Sequence, residues 1–102
     1  MIADTLARRG IEYKYECPLK LVDGGIVHPD FTVLDIKTRK EKYWEHFGMM
    51  GNSEYSANAI HKLNRYYASG LDPGNRLYMT FECEKEPLTP QTINTVIDSM
   101  GL

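Results

Sequence analysis

The stretch His28–Gly48 constrains this chain more than any other. It reads HPDFTVLD, then IKTRKE, then KYWEHFG: two runs rich in β-branched and aromatic residues on either side of a polar, charged turn. That pattern predicts an antiparallel strand pair with a short connection centred near Thr38. Folding the chain back about that centre brings Asp30 opposite, or beside, Glu45. Directly opposed residues hold their Cβ atoms roughly 5 Å apart. Two carboxylates at that distance repel, and burying them unpaired is costly. Two readings fit the pattern. Either a divalent metal ion offsets the paired charge, or one acid points to solvent or a one-residue slip of register separates the two.

The 102 residues suffice for a single domain with one core, 1–102, and not for two. Hydrophobic residues make up 42% and charged residues 25%, an ordinary globular balance. A formal net charge of −2 excludes a strongly basic, histone-like binder. A local basic cluster remains, with Lys37, Arg39, Lys40 and Lys42 around the hairpin turn and Lys14 and Lys20 earlier. As sequence it reads first as a solvated turn. No apolar run approaches membrane-spanning length and no secretory signal opens the chain, so a cytoplasmic protein without membrane contact is expected. Cys17 and Cys83 are far apart and form no CxxC, which argues against a cysteine zinc site and for reduced, partly buried thiols.

In chain order, Ile2–Arg9 predicts a short helix with Ile2, Leu6 and Ala3 inward and Gly10 ending it. Because it starts almost at the first residue, an upstream turn is expected to be missing or the protein to begin there. Ile11–Glu16 alternates apolar and charged residues, the pattern of a half-buried strand near an edge, and Pro18 ends it. Leu19–Leu21 extends it briefly before the turn Asp23-Gly24-Gly25. Ile26-Val27 leads into the hairpin, whose ladder starts at or after Asp30 because Pro29 lacks an N–H. A flexible junction at Met49–Gly51 precedes a helix capped by Asn52 or Ser53 and ended by Gly70. Ala59, Ile60, Leu63, Tyr66 and Tyr67 form its apolar stripe. Tyr55, Ala59, Lys62 and Tyr66, spaced 4, 3 and 4, share one flank, so Lys62 borders the buried face. A snorkelling lysine would sit there equally well. After the turn Asp72–Asn75 comes a strand, Arg76–Glu82, with Leu77, Met79 and Phe81 on one face and Tyr78 and Thr80 on the other. A Glu-rich loop leads to a last helix capped by Thr89 with Pro90 first and Ile93, Val96, Ile97 and Met100 inward. A strand that follows a long helix is expected to lie parallel to one hairpin arm. The layers then form an α/β sandwich around a mixed sheet of about four strands.

No glycine-rich phosphate loop and no nucleophile elbow is present. Neither cysteine has a spacing to His28, His46 or His61 that supports a nucleophile–base pair. The carboxylate pair carries the chemistry that remains. Pro29-Asp30, the hairpin and a late acidic residue, within an αβββαβ order, resemble the PD-(D/E)XK nuclease superfamily (restriction-endonuclease-like). Tyr15–Leu19, His28–Phe31 and Tyr43–Gly48 resemble small bacterial nuclease-like domains of that group, and the likeness covers nearly the whole chain. It implies that Asp30 and Glu45 hold Mg²⁺ or Mn²⁺, ions suited to hard oxygen ligands. The backbone carbonyl of His46 would be a third metal ligand. It further implies hydrolysis of a phosphodiester by activated water, with DNA as substrate and RNA as the alternative.

Two positions depart from the family. The lysine two residues after the second acid is Phe47 here, and Lys62 on the following helix is the expected replacement. The His46 ring is a second candidate for contacting phosphate or water, although alternation with Glu45 points it to the opposite face. Where relatives often carry a metal-binding Glu in the first helix, this chain offers only Asp4. His28 reads as a turn histidine or a phosphate contact; Tyr43 and Trp44 read as core or as base-stacking residues. The rival expectation is a nuclease-like domain without catalysis that binds nucleic acid or a protein partner. A homodimer paired through the first strand or the last helix would suit an enzyme that cuts duplexes.

Overall fold

The computed structural model describes all residues from Met1 to Leu102. The elements are α1 (Ile2–Arg8), β1 (Tyr13–Tyr15), β2 (Leu19–Lys20), β3 (Ile26–Val27), β4 (Phe31–Asp35), β5 (Lys40–Phe47), α2 (Ser53–Ala68), β6 (Leu77–Phe81) and α3 (Pro90–Ser99). A four-stranded mixed sheet runs β1-β4-β5-β6, with β1–β4 and β4–β5 antiparallel and β5–β6 parallel. Helix α2 is the crossover that a parallel pair requires. The main-sheet elements therefore follow the αβββαβα order expected from sequence, an α/β sandwich around a four-stranded mixed sheet.

The central hairpin is pinned at its turn. The Asp35 carboxylate accepts hydrogen bonds from the N–H groups of Lys37 and Thr38, at 3.1 and 3.4 Å, and Arg39 adopts a left-handed φ of 57°. These fix a register in which Phe31 faces Trp44 and Val33 faces Lys42. Because side chains alternate along each strand, that register also decides which residues share a face.

One face carries Phe31, Val33, Trp44 and Tyr78, which pack with Ile2 and Leu6 of α1 and with Ile93, Ile97 and Met100 beyond and within α3. The other face carries Tyr43 and Leu77 under Tyr66 of α2, with Leu21, Val27 and Leu71 completing the cluster. The capping signals act as read. The Asn52 side chain accepts from Tyr55 N–H, and Thr89 accepts from Thr92 N–H with Pro90 first in the helix.

Three expectations are corrected. Leu19–Lys20 and Ile26–Val27 pair with each other as a separate two-stranded ribbon rather than extending the main strands. The Asp23–Gly25 turn joins them, with Asp23 accepting from Gly25 N–H, and Leu21 and Val27 close the lower edge of the α2 cluster. The first strand shrinks to Tyr13–Tyr15, with Ile11 packed against the α1/α3 core outside it. On α2, Ile60 and Tyr67 are exposed, whereas Ala59 and Tyr66 are buried. Residues 59, 63 and 66 make one line along the helix. Measured from the fully buried Tyr66, positions 67 and 60 stand about 100° and 120° round the helix, on its solvent side.

Candidate functional site

The two acids of the hairpin come together at the end opposite its turn. Asp30 immediately precedes β4, and Glu45 lies in β5 one step beyond the Phe31–Trp44 pair. The Asp30 N–H donates to Glu45 Oε1 at 2.8 Å, and the His46 N–H donates to Asp30 Oδ2 at 2.7 Å. Each carboxylate is thus held by the other strand's backbone. Pro29 is fully buried and ends the ladder, which frees the Asp30 side chain to bond across to β5.

Glu45 stands on the α2 face and is only 2% exposed. Its Oε2 meets the Lys62 ammonium, which reaches in from α2 with 32% of its side chain exposed. Burial pushes the Glu45 carboxyl up from its ordinary range; Lys62 pulls it down and the Asp30 charge raises it again. Burial wins this contest. One partly solvated ammonium does not replace the water that a buried carboxylate loses. A cleft of about 290 Å³ opens over the group, lined by Asp30, Glu45 and Lys62 and closed on the α2 side by Tyr55 and Asn58. The Tyr55 hydroxyl accepts from Gly48 N–H at 3.1 Å, tying the first turn of α2 to the end of β5.

His46 points the other way, as strand alternation requires. Its Nδ1 lies 2.8 Å from Thr80 Oγ1 and its Nε2 lies 2.7 Å from Glu82 Oε1. Thr80 Oγ1 also accepts from Trp44 Nε1–H at 3.1 Å. A threonine that accepts from Trp44 can donate its own proton to Nδ1, leaving the Nε2–H to donate to Glu82. Glu82 in turn accepts from Leu88 N–H at 3.0 Å. That backbone bond first, and His46 second, hold the Glu82 carboxyl below its ordinary range. Both ring nitrogens of His46 are therefore occupied by neighbours. The backbone carbonyl of His46 is directed differently. In a strand, one residue's N–H and C=O point to the same side, so this carbonyl faces the Asp30 side, with the N–H that Asp30 accepts.

The remaining candidates separate from the site. Asp4 is exposed on α1 and lines neither cleft that Asp30 borders. No group of three or more His, Cys, Asp and Glu side chains is arranged to hold a metal ion. His28 is exposed beside Pro29. Trp44 and Tyr43 are buried, and Tyr43 lies under the Arg76 guanidinium, which donates to its hydroxyl at 3.3 Å. Neither is available to stack on a base. Phe47 is buried and stacks on Phe81 with ring centroids 5.4 Å apart, so an apolar contact fills the position where the resemblance puts lysine. Lys37, Arg39 and Lys40 are exposed at the far end of the hairpin, roughly 15–20 Å from the acids at about 3.3 Å per residue. Lys42 is held instead by Asp35 and the Met100 carbonyl.

Sequence reasoning gave no role to Glu82 and Thr80 around His46, or to Tyr55, Asn58 and Tyr66 around Glu45. The spacing 55, 59, 62, 66 does place both tyrosines on the Lys62 flank. Tyr66 is 0% exposed and its hydroxyl has no hydrogen-bond partner in the protein. Burial first, then the charges of Glu45 and Asp30, keep that hydroxyl protonated far above its ordinary range.

No protein-family profile matches this chain, and no curated protein matches it. Among solved structures, a chain in the cryo-electron-microscopy structure of a DrdV–DNA complex aligns with a TM-score of 0.49 and 19% identity. The alignment covers 86% of this chain and 9% of that one. A likeness of that size carries no weight for function. No helix of the chain is long and apolar enough to cross a membrane.

Proposed function

We propose that this chain is a metal-dependent phosphodiesterase domain that hydrolyses DNA. The observation that carries the reading is Glu45: an almost fully buried carboxylate, facing Asp30 across the hairpin and contacted by Lys62, at the floor of an open cleft. Chains do not bury an under-compensated acid for stability alone, and perturbed acids in clefts mark functional sites.

The donor set suits a hard divalent cation such as Mg²⁺ or Mn²⁺. Asp30 and Glu45 offer carboxylate oxygens, and the His46 carbonyl is directed to the same side. Such ions bind through one or two carboxylates and complete their shells with water and substrate phosphate, so the lack of a third acidic side chain is no obstacle. When bound there, the cation would activate water and offset charge developing on the phosphate. Asp30 and Glu45 would hold the cation, and one of their carboxylates would take the proton of the attacking water as its oxygen bonds to phosphorus, the P–O bond to the leaving strand breaks and the leaving oxygen takes up a proton from solvent. Lys62 steadies the charge on the phosphoryl oxygens. Mg²⁺ or Mn²⁺ and DNA are thus the proposed cofactor and partner, with RNA tested alongside.

A second reading has its own support. Phe47 fills the usual lysine position and α1 brings no acid to the site. A nuclease-like domain that binds nucleic acid or a protein partner without cutting would tolerate both. A panel of single-stranded, duplex and branched DNA, with matched RNA, separates the two when incubated with Mn²⁺, Mg²⁺ or EDTA. Cutting that requires metal and disappears in Asp30→Ala is the expected result. Binding without cutting under every metal condition would favour the second reading.

A further inference from the structure

Tyr66 presents a separate problem. Its side chain is fully buried, yet its hydroxyl bonds to nothing in the protein. A buried donor left unpaired is destabilising, and phenylalanine would fill the same volume without that penalty. The position is one helical turn after Lys62 on the same flank of α2, so both side chains descend on the same part of the sheet. Tyr66 belongs to the same buried cluster as Tyr43, which precedes Glu45 by two residues and shares its face of β5. The hydroxyl lies close enough to Glu45 for that carboxylate to act on it, yet has no hydrogen-bond partner, and the carboxylate's Oε1 is occupied by Asp30 N–H and its Oε2 by Lys62.

Resting on the metal reading above, we infer that Tyr66 is a positioning residue for Glu45. Its hydroxyl is held in reserve to donate to that carboxylate when a divalent cation competes with the Lys62 ammonium for it. Two cations cannot share Oε2 cheaply at close range, so loading the site loosens the Lys62–Glu45 contact. The carboxylate then needs a neutral donor to fix its orientation, and the Tyr66 hydroxyl is the unused one at hand. Partners that orient a metal-ligating carboxylate contribute to affinity without touching the ion.

The test compares wild type with Tyr66→Phe in two measurements on the intact chain: thermal melting without metal, and calorimetric titration with Mn²⁺. The expected pattern is a melting temperature equal to or above wild type, because an unpaired hydroxyl has been removed, together with Mn²⁺ affinity weakened about tenfold. A residue with a merely structural role would not move affinity in the opposite sense to stability. Equal Mn²⁺ affinity in the two proteins would overturn the role of Tyr66 and leave the metal site standing. A clear loss of melting temperature would also overturn it, because the hydroxyl would then be serving the metal-free fold. No Mn²⁺ binding by wild type would remove the metal reading and this inference with it.

Discussion

The two faces of the sheet are built to different standards. On the α1/α3 face, nine buried apolar residues form a continuous core, and a connected chain of polar groups runs through it: Trp44 donates to Thr80, Thr80 to His46 and His46 to Glu82, which also accepts from Leu88 N–H. On the α2 face the apolar cluster has six residues, and the strand that supplies Tyr43 also supplies buried Glu45. There a carboxylate is short of counter-charge and a hydroxyl has no partner. A fully satisfied polar network rigidifies a core, whereas an incomplete one is destabilising. The contrast shows where stability has been given up, and it is the face that carries the cleft of Asp30, Glu45 and Lys62.

Breaking the satisfied face should have the largest effect. Trp44→Ala removes a fully buried ring that packs on Phe31 and leaves Thr80 and His46 around a cavity. A loss of about 3–5 kcal/mol in chemical denaturation is expected. Against a typical domain stability of about 5–15 kcal/mol, a loss of that size is a large share.

A smaller, pH-dependent effect should come from the α2 face. Lys62→Met removes the main group that lowers the Glu45 carboxyl against the pull of burial. A carboxyl raised in the fold holds its proton more tightly there than in the unfolded chain. It therefore favours the fold at low pH and loses that contribution as pH rises through its raised value. Melts of Lys62→Met should fall below wild type by about 1–3 kcal/mol at neutral pH. The difference should shrink as the solution is acidified toward and below the ordinary carboxylate range and Glu45 becomes neutral. A difference independent of pH would mean that Lys62 acts through packing of its stem rather than through its charge.

Much of this contrast was legible in the sequence, for reasons that differ from residue to residue. The meeting of Asp30 and Glu45 follows from two local rules, a short polar turn and a side-chain period of two, and both survive folding because Asp35 pins the turn. Lys62 on the inner flank follows from helical spacing, and the outward turn of the His46 ring follows from alternation beside Glu45. Helix rotation was harder to read: Ile60 and Tyr67 look like core residues in a pattern, yet the helix turns Ala59 and Tyr66 inward and leaves both exposed. The Leu19–Val27 ribbon was hidden because its strands are two residues each, too short for periodicity to register. The partners Thr80 and Glu82 lie more than thirty residues from His46 and become neighbours only through the parallel β5–β6 register. An unpaired hydroxyl such as that of Tyr66 has no sequence signature, since it is defined by what surrounds it.

The account rests on Asp30 and Glu45 acting together on one cation. Calorimetric titration of Mn²⁺ into wild type and Asp30→Ala at neutral pH tests this most directly. Saturable binding of a single ion per chain that disappears in Asp30→Ala is the predicted result. Equal binding by the two proteins, or none by wild type, would contradict it.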